Sequence, residues 1–187
     1  LTSYPGSPAL ARALMRRIDR LTLTELHPDD FETLAALFQG DHQVKAIHLD
    51  GWLALGSFLP PKEKRGLVII DPAFEVTDEF DVLARNVCKA WKKWSSGIYA
   101  VWYPLKDRKG LMRFHDALSE AGVRDVLTLE LNVGKSGPDT SMLGSGMTII
   151  NPPFTLAQEM KTVFPCLADI LHQGPGAGWN VEQLIAE

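Results

Sequence analysis

Leu67-Val68-Ile69-Ile70-Asp71-Pro72-Ala73-Phe74 is an apolar run that ends in an acid, a proline and an aromatic ring. Four consecutive aliphatic residues predict a buried strand of the kind found in parallel sheets. Asp71 then falls at the carboxyl end of that strand, where open α/β sheets bind ligands. Pro72 cannot donate to a ladder, so it ends the strand and restrains Asp71 to extended backbone. Phe74 is expected to offer a flat face beside the carboxylate. A carboxylate acceptor next to an aromatic platform suits the exocyclic amino group of a nucleobase. The same residues also describe a proline turn with a solvated acid, and a motif this short does not separate the two readings.

Outward from this segment, strand and helix patterns alternate without repeats or low-complexity linkers. Upstream, the patterns predict helices over 7–17, 29–38 and 52–58, and strands over 21–26 and 44–49. Ser7-Pro8 supplies a helix start, with serine as the cap and proline in the first helical position. Downstream, helices are predicted over 77–94, with Thr77 or Asp78 as the cap, and over 106–121 and 155–172. Strands are predicted over 97–103, 126–133 and 147–150. A Gly/Ser/Pro-rich loop joins the last two strands, which predicts an antiparallel pair at a sheet edge. Gly174-Pro175-Gly176-Ala177-Gly178 reads as a flexible joint before the tail. The expected fold is therefore a doubly wound, Rossmann-like α/β domain, its sheet mostly parallel and ending in an antiparallel hairpin. There is no G-x-G-x-x-G and no P-loop. Gly144-Ser145-Gly146 precedes a strand and reads as loop.

Composition sets the bounds. The 187 residues are 45% hydrophobic and 22% charged, which fits a soluble globular domain with a sizeable core. A net charge of -4 argues against a polybasic coat while permitting a local basic strip. Cys88 and Cys166 lie in apolar helical patterns and read as two buried thiols in a reducing compartment. No apolar run approaches the roughly 20 residues that span a bilayer, and no signal peptide is visible. A cytoplasmic protein with no membrane partner is expected. Leu1 stands where a methionine would begin a chain, so the sequence reads as lacking its true N-terminus.

Several residues carry possible chemistry. Glu25 ends a predicted strand, the position from which Rossmann-like folds hold ribose hydroxyls; it is equally a surface glutamate. Asp50-Gly51 ends another strand, where an acid can accept from an adenine amino group, yet Asp-Gly is also a common turn. Asn151-Pro152-Pro153-Phe154 follows a late strand and competes with Asp71 as an amine-binding motif; the alternative is a proline-terminated edge strand. His27, His42, His48, His115 and His172 show no metal-ligand spacing, so no metal is expected. His115 reads as solvated on a charged helix. Lys89, Lys92 and Lys93, interleaved with Trp91 and Trp94, could meet phosphates, as could Lys106, Arg108, Lys109 and Arg113. Lysines near a helix C-terminus equally complement the helix dipole.

Six ordered segments together resemble one family. They are Tyr4-Pro5-Gly6-Ser7-Pro8, Leu23-Thr24-Glu25-Leu26-His27-Pro28, Asp50-Gly51, the run from Arg65-Gly66 to Asp71-Pro72, Gly97-Ile98-Tyr99-Ala100-Val101-Trp102-Tyr103-Pro104, and Ser145-Gly146-Met147-Thr148-Ile149-Ile150-Asn151-Pro152-Pro153. Their order is similar to that of the bacterial ribosomal RNA large subunit methyltransferase J family. The resemblance covers nearly all of the chain. It implies a class I S-adenosylmethionine-dependent methyltransferase that methylates the N6 amino group of an adenine in 23S rRNA; separately from the resemblance, a monomer is expected. By matching position, Ser7, Glu25, Asp50, Gly51 and Asp71 would contact S-adenosyl-L-methionine. Asp71, with Pro72 and Phe74, would be catalytic, and Asn151-Pro152-Pro153-Phe154 would be structural. For Ser7 the helix-cap reading stands beside the ligand reading.

Two departures accompany the resemblance. Ala73 stands where the family has a second proline. The family's N-terminal histidine-containing segment and its Asp-x-x-x-Gly-x-Gly loop have no counterpart in these residues. Residues 1–187 are accordingly expected to be a catalytic domain lacking its first strand and cofactor loop. Rival readings are a DNA adenine or protein-amide methyltransferase and a non-catalytic RNA-binding relative.

Overall fold

The computed structural model describes residues 4–74, 78–135 and 142–186. The chain divides into two units, Leu1–Phe58 and Leu59–Glu187. In the first, the order is α1 (Ser7–Leu14), β1 (Leu21–Glu25), α2 (Pro28–Leu37), β2 (Val44–His48) and α3 (Gly51–Phe58). β1 and β2 are parallel, Leu21 lying opposite Val44 and Glu25 opposite His48. Parallel neighbours need a crossover, and α2 supplies it. Pro28 opens α2, and Asp29 and Asp30 in its first turn complement the helix dipole. The Arg12 guanidinium ties α1 to Asp41 and Gln43, just before β2. Gly6, not Ser7, is the cap of α1: Ser7 is already helical, and no side-chain cap bond forms.

The second unit runs β3 (Leu67–Ile70), α4 (Glu79–Lys93), β4 (Ile98–Pro104), α5 (Arg108–Glu120), β5 (Val126–Asn132), β6 (Gly144–Ile150), α6 (Leu156–Leu171) and β7 (Gly178–Ile185). Its sheet has the order β3-β4-β6-β5-β7. β3 and β4 are parallel; the β4–β6, β5–β6 and β5–β7 pairs are antiparallel. The Rossmann-like α/β class holds, with four corrections. The strands fall into two sheets, β1-β2 and the five-stranded one, and not one. The hairpin return β6 inserts between β4 and β5, so the hairpin is interior and the sheet is less parallel than the alternating pattern implied. The segment read as a tail contains β7, which forms the edge. Gly144 and Gly146 lie inside β6, where the Tyr103 ring occupies the space a Cβ on Gly146 would need. Thr77, one of the two caps proposed for α4, lies outside the described residues.

The central strands of the five-stranded sheet, β4, β6 and β5, are covered on both faces. Ala100, Leu127, Leu129 and Ile149 pack against Leu156, Ala157, Met160 and Phe164 of α6. That i, i+4 stripe excludes Cys166, which is exposed, and Cys88 is only half-buried. Neither thiol is the fully buried group the apolar pattern suggested. Tyr99, Val101 and Tyr103 alternate to the other face, with α4 and α5 burying Leu83, Val87, Phe114 and Leu118. His115 also turns to this face. Its Nε2 shares a 2.9 Å hydrogen bond with the fully buried Thr148 hydroxyl, and its ring lies near those of Tyr103 and Phe114. It is not a solvated residue, because α5 is amphipathic and position 115 follows Leu111 by one turn.

Burial holds the His115 pKa down at about 4, against opposing pulls from Glu130, Asp116 and Glu182, with Arg108 adding to the depression. The native imidazole therefore refuses a proton that the unfolded chain accepts near pH 6.5. Stability is expected to fall as pH drops from about 6.5 to 4, by roughly 3 kcal/mol from this group. Denaturant unfolding across that range checks it. His115→Gln, which cannot titrate, should flatten the slope.

Candidate functional site

β3 delivers Asp71 to its carboxyl end. The carboxylate is exposed, and among the described residues it has no hydrogen-bond or ion-pair partner. Neighbouring protein still removes part of its water, which raises its pKa above the ordinary carboxylate value. A partly desolvated carboxylate is a strong hydrogen-bond acceptor. Leu67 and Ile69 are exposed at 56% and 52%, while Ile70 is buried, so β3 is covered on one face and not on both.

Phe74 does not stand free as a stacking platform. It is 5% exposed, its ring centroid 4.9 Å from that of Phe80 and 5.9 Å from that of Trp102. Its φ is +51°, a left-handed conformation that is unfavourable for a bulky residue. Burying an aromatic side chain is worth a few kcal/mol, enough to outweigh that strain. The ring anchors the turn after Asp71-Pro72. Sequence reasoning missed this because Phe80 and Trp102, the partners, come from α4 and β4. Lys106, read from the sequence as able to meet phosphates, instead donates from its Nζ to the Phe74 carbonyl at 2.6 Å. The available signal was a lysine two residues beyond the end of a strand parallel to β3. Of the cations grouped as phosphate ligands, Arg108 pairs with Glu130 and Arg113 with Asp81.

The competing motif lies elsewhere. Asn151 follows antiparallel β6, and its Nδ2 donates to the carbonyls of Ser95 and Gly97 at 2.8 and 2.7 Å. Both precede β4. Asn151 thus sits at the amino end of β4, while Asp71 sits at the carboxyl end of its parallel neighbour. The amide is spent on two backbone acceptors, and Phe154 points into solvent.

In the first unit, Glu25 and Asp50 come from the carboxyl ends of adjacent parallel strands. Glu25 Oε1 accepts from the His27 amide at 2.8 Å. Asp50 Oδ1 accepts from the Leu53 amide at 2.9 Å and so starts α3, with Gly51 as the first helical residue. Each carboxylate keeps its second oxygen free of a described partner. Ser7, at the first position of α1, makes no comparable contact among the described residues. No group of three His, Cys, Asp or Glu side chains able to hold a metal occurs among the described residues. No helix there is long and apolar enough to cross a membrane.

A Rossmann-like α/β fold with an acid-proline turn closing a parallel strand places the chain among α/β proteins that bind ligands at the carboxyl ends of their strands. Comparison with known proteins narrows it: residues 1–185 match the family described as Ribosomal RNA large subunit methyltransferase D, RlmJ, and the chain belongs to that family. It is similar to a Haemophilus influenzae protein named Ribosomal RNA large subunit methyltransferase J, with 38% identity over 187 residues, covering 100% of this chain and 66% of that protein. An Escherichia coli K12 protein of the same name is 40% identical over 167 residues, covering 89% and 60% respectively. A crystal structure of a Legionella pneumophila protein superposes with a TM-score of 0.86 at 35% identity, covering 96% of this chain and 66% of that one. The chain thus spans about two thirds of the length of these relatives.

If Phe74 is an anchor, Phe74→Ala should destabilise the protein by about 3–5 kcal/mol, the cost of emptying an aromatic core site. A free stacking platform would lose under about 1 kcal/mol. Denaturant titration of both proteins distinguishes these outcomes.

Proposed function

We propose that this chain is the catalytic domain of an S-adenosylmethionine-dependent methyltransferase acting on the N6 amino group of an adenine in 23S rRNA. The observation that carries the reading is the Asp71 carboxylate: exposed, partly desolvated, without a described partner, and at a parallel strand's carboxyl end. The relatives' names point to rRNA ahead of DNA or a protein amide.

The adenine N6 lone pair is delocalised into the ring, so the amine is a poor nucleophile. Asp71 and the Pro72 carbonyl can each accept one N–H. That favours a pyramidal nitrogen with its lone pair free, and it stabilises positive charge developing there. Taking the base out of its stack costs a few kcal/mol, less for an unpaired base. Phe74 supports this by holding the acceptors still, in place of stacking on the base itself. S-adenosylmethionine, when bound, supplies an electrophilic methyl group. The residues present fit part of such a ligand: the free oxygen of Glu25 suits ribose hydroxyls, that of Asp50 suits an adenine amine, and Gly51 leaves room for close approach. Ser7 is a weaker candidate, since no interaction orients it.

Tritiated methyl transfer to 23S rRNA, followed by nucleoside digestion, tests the reading; label in N6-methyladenosine is the expected result. Asp71→Ala should lower the rate by at least ~100-fold, the scale for losing one preorganised electrostatic partner. Retained activity in Asp71→Ala with loss in Asn151→Ala would move the site to the other end of the sheet. Because Asp71 must be ionised to accept, activity should fail as pH drops through its raised pKa, earlier than an ordinary carboxylate would dictate. A rate-pH profile of the wild type reads that acidic limb directly.

A further inference from the structure

Asp71 lies in a turn whose geometry is over-determined from one direction. Phe74 adopts its left-handed φ of +51° with the ring sealed against Phe80 and Trp102. Its carbonyl then receives the Lys106 ammonium at 2.6 Å, across 32 residues of sequence. A charged donor makes a stronger hydrogen bond than a neutral one. The base from which Lys106 extends is rigid. On one side Leu105 is 6% exposed, and its amide donates to the Gly144 carbonyl at 2.9 Å. Its own carbonyl accepts from the Leu143 amide at 3.3 Å. On the other side Asp107 caps α5 by accepting from the Gly110 amide at 3.0 Å. Gly110 in turn leaves no room for a Cβ against Phe80, the residue on which Phe74 packs. The β3 turn and the β4–α5 turn are therefore joined twice, through Phe74-Phe80-Gly110 and through Lys106.

We propose that Lys106 is a positioning residue for methyl transfer: it fixes the Phe74 carbonyl and thereby sets where Asp71 and the Pro72 carbonyl present themselves to the amine. The proposal rests on Asp71 being the amine acceptor. Lys106 contributes geometry and not charge at the reacting nitrogen, since it acts on a backbone oxygen three residues beyond Asp71. The turn is stiffened from outside, by an ammonium and a buried ring. Misplacing a reactant-holding group by about 1 Å can cost on the order of 100-fold in rate, so a tether on this loop matters even though it touches no substrate.

The test uses the full-length protein and 23S rRNA, with kcat, KM for rRNA, the S-adenosylmethionine dissociation constant and the unfolding midpoint measured for Lys106→Met, Lys106→Arg and Asp71→Ala. Lys106→Met should lower kcat by about 10- to 100-fold while leaving cofactor affinity and unfolding midpoint close to the parent. Lys106→Arg, which keeps a charged donor, should recover much of that loss. The acidic limb of the rate-pH profile should stay in place in both Lys106 variants. A Lys106→Met kcat within about threefold of the parent overturns the proposal. So does a loss that appears only together with a lower unfolding midpoint, which would make Lys106 an ordinary structural residue. Asp71→Ala separates the two layers. Full activity there removes the acceptor assignment and this proposal with it. Inactivity there beside a fully active Lys106→Met removes this proposal alone.

Discussion

The sealing of the Phe74 ring between Phe80 and Trp102 governs the region from which function is argued. β3 has only β4 as a ladder partner among the described residues, and it is four residues long. Such a strand does little to fix the backbone beyond its last hydrogen bond. The ring supplies what the ladder does not. It commits the chain to a left-handed turn immediately after Asp71-Pro72-Ala73, and it ties that turn to the start of α4 and to β4. Hydrophobic burial thus offsets backbone strain, and the exposed acid sits on a stiff support. An acid on a mobile loop would lose in entropy what it gained by binding a donor.

A second layer of organisation lies under α5. Tyr103 donates to Glu130 at 3.2 Å, and Arg108 reaches the same carboxylate oxygen from outside at 2.6 Å. Burial, with Glu130 beside it, pushes the Tyr103 hydroxyl far above its ordinary pKa, keeping it a neutral donor. His115 and Thr148 complete a polar seam across β4, β5, β6 and α5. Every member has a partner, which is the condition under which polar groups at such depth specify packing without a net penalty. The seam fixes α5 on the sheet, and α5 in turn begins at the cap beside Lys106. The polar interior and the Asp71 turn are therefore parts of one rigid assembly.

The two proline motifs show why local resemblance is a poor guide to role. Both follow a strand, and both set a polar side chain before a proline with a phenylalanine at the fourth position. Strand direction separates them. β3 points its carboxyl end one way and antiparallel β6 points its own the other way, so the motifs emerge at opposite ends of the sheet. Asn151, also at positive φ, spends its amide on the entrance to β4.

Much of this was readable from residue order alone. The run Leu67–Ile70 matches β3 residue for residue, and start signals together with apolar spacing located each helix, with ends that differ by a few residues, because both are local properties of a short segment. Asp71, Glu25 and Asp50 were placed at strand ends for the same reason. Pairing and facing were not readable. Nothing in residues 178–185 alternates cleanly, so β7 was invisible until β5 offered it an edge. Nothing in Cys166 or His115 says which side of a helix meets a sheet. Phe74 looked like a platform because its neighbours in sequence are an acid and a proline; its neighbours in space are Phe80 and Trp102. Local patterning decides which elements form, since each is a few residues responding to its own polarity. Whether a side chain is offered to a ligand or sealed in the core depends on residues tens of positions away, and only packing brings those together.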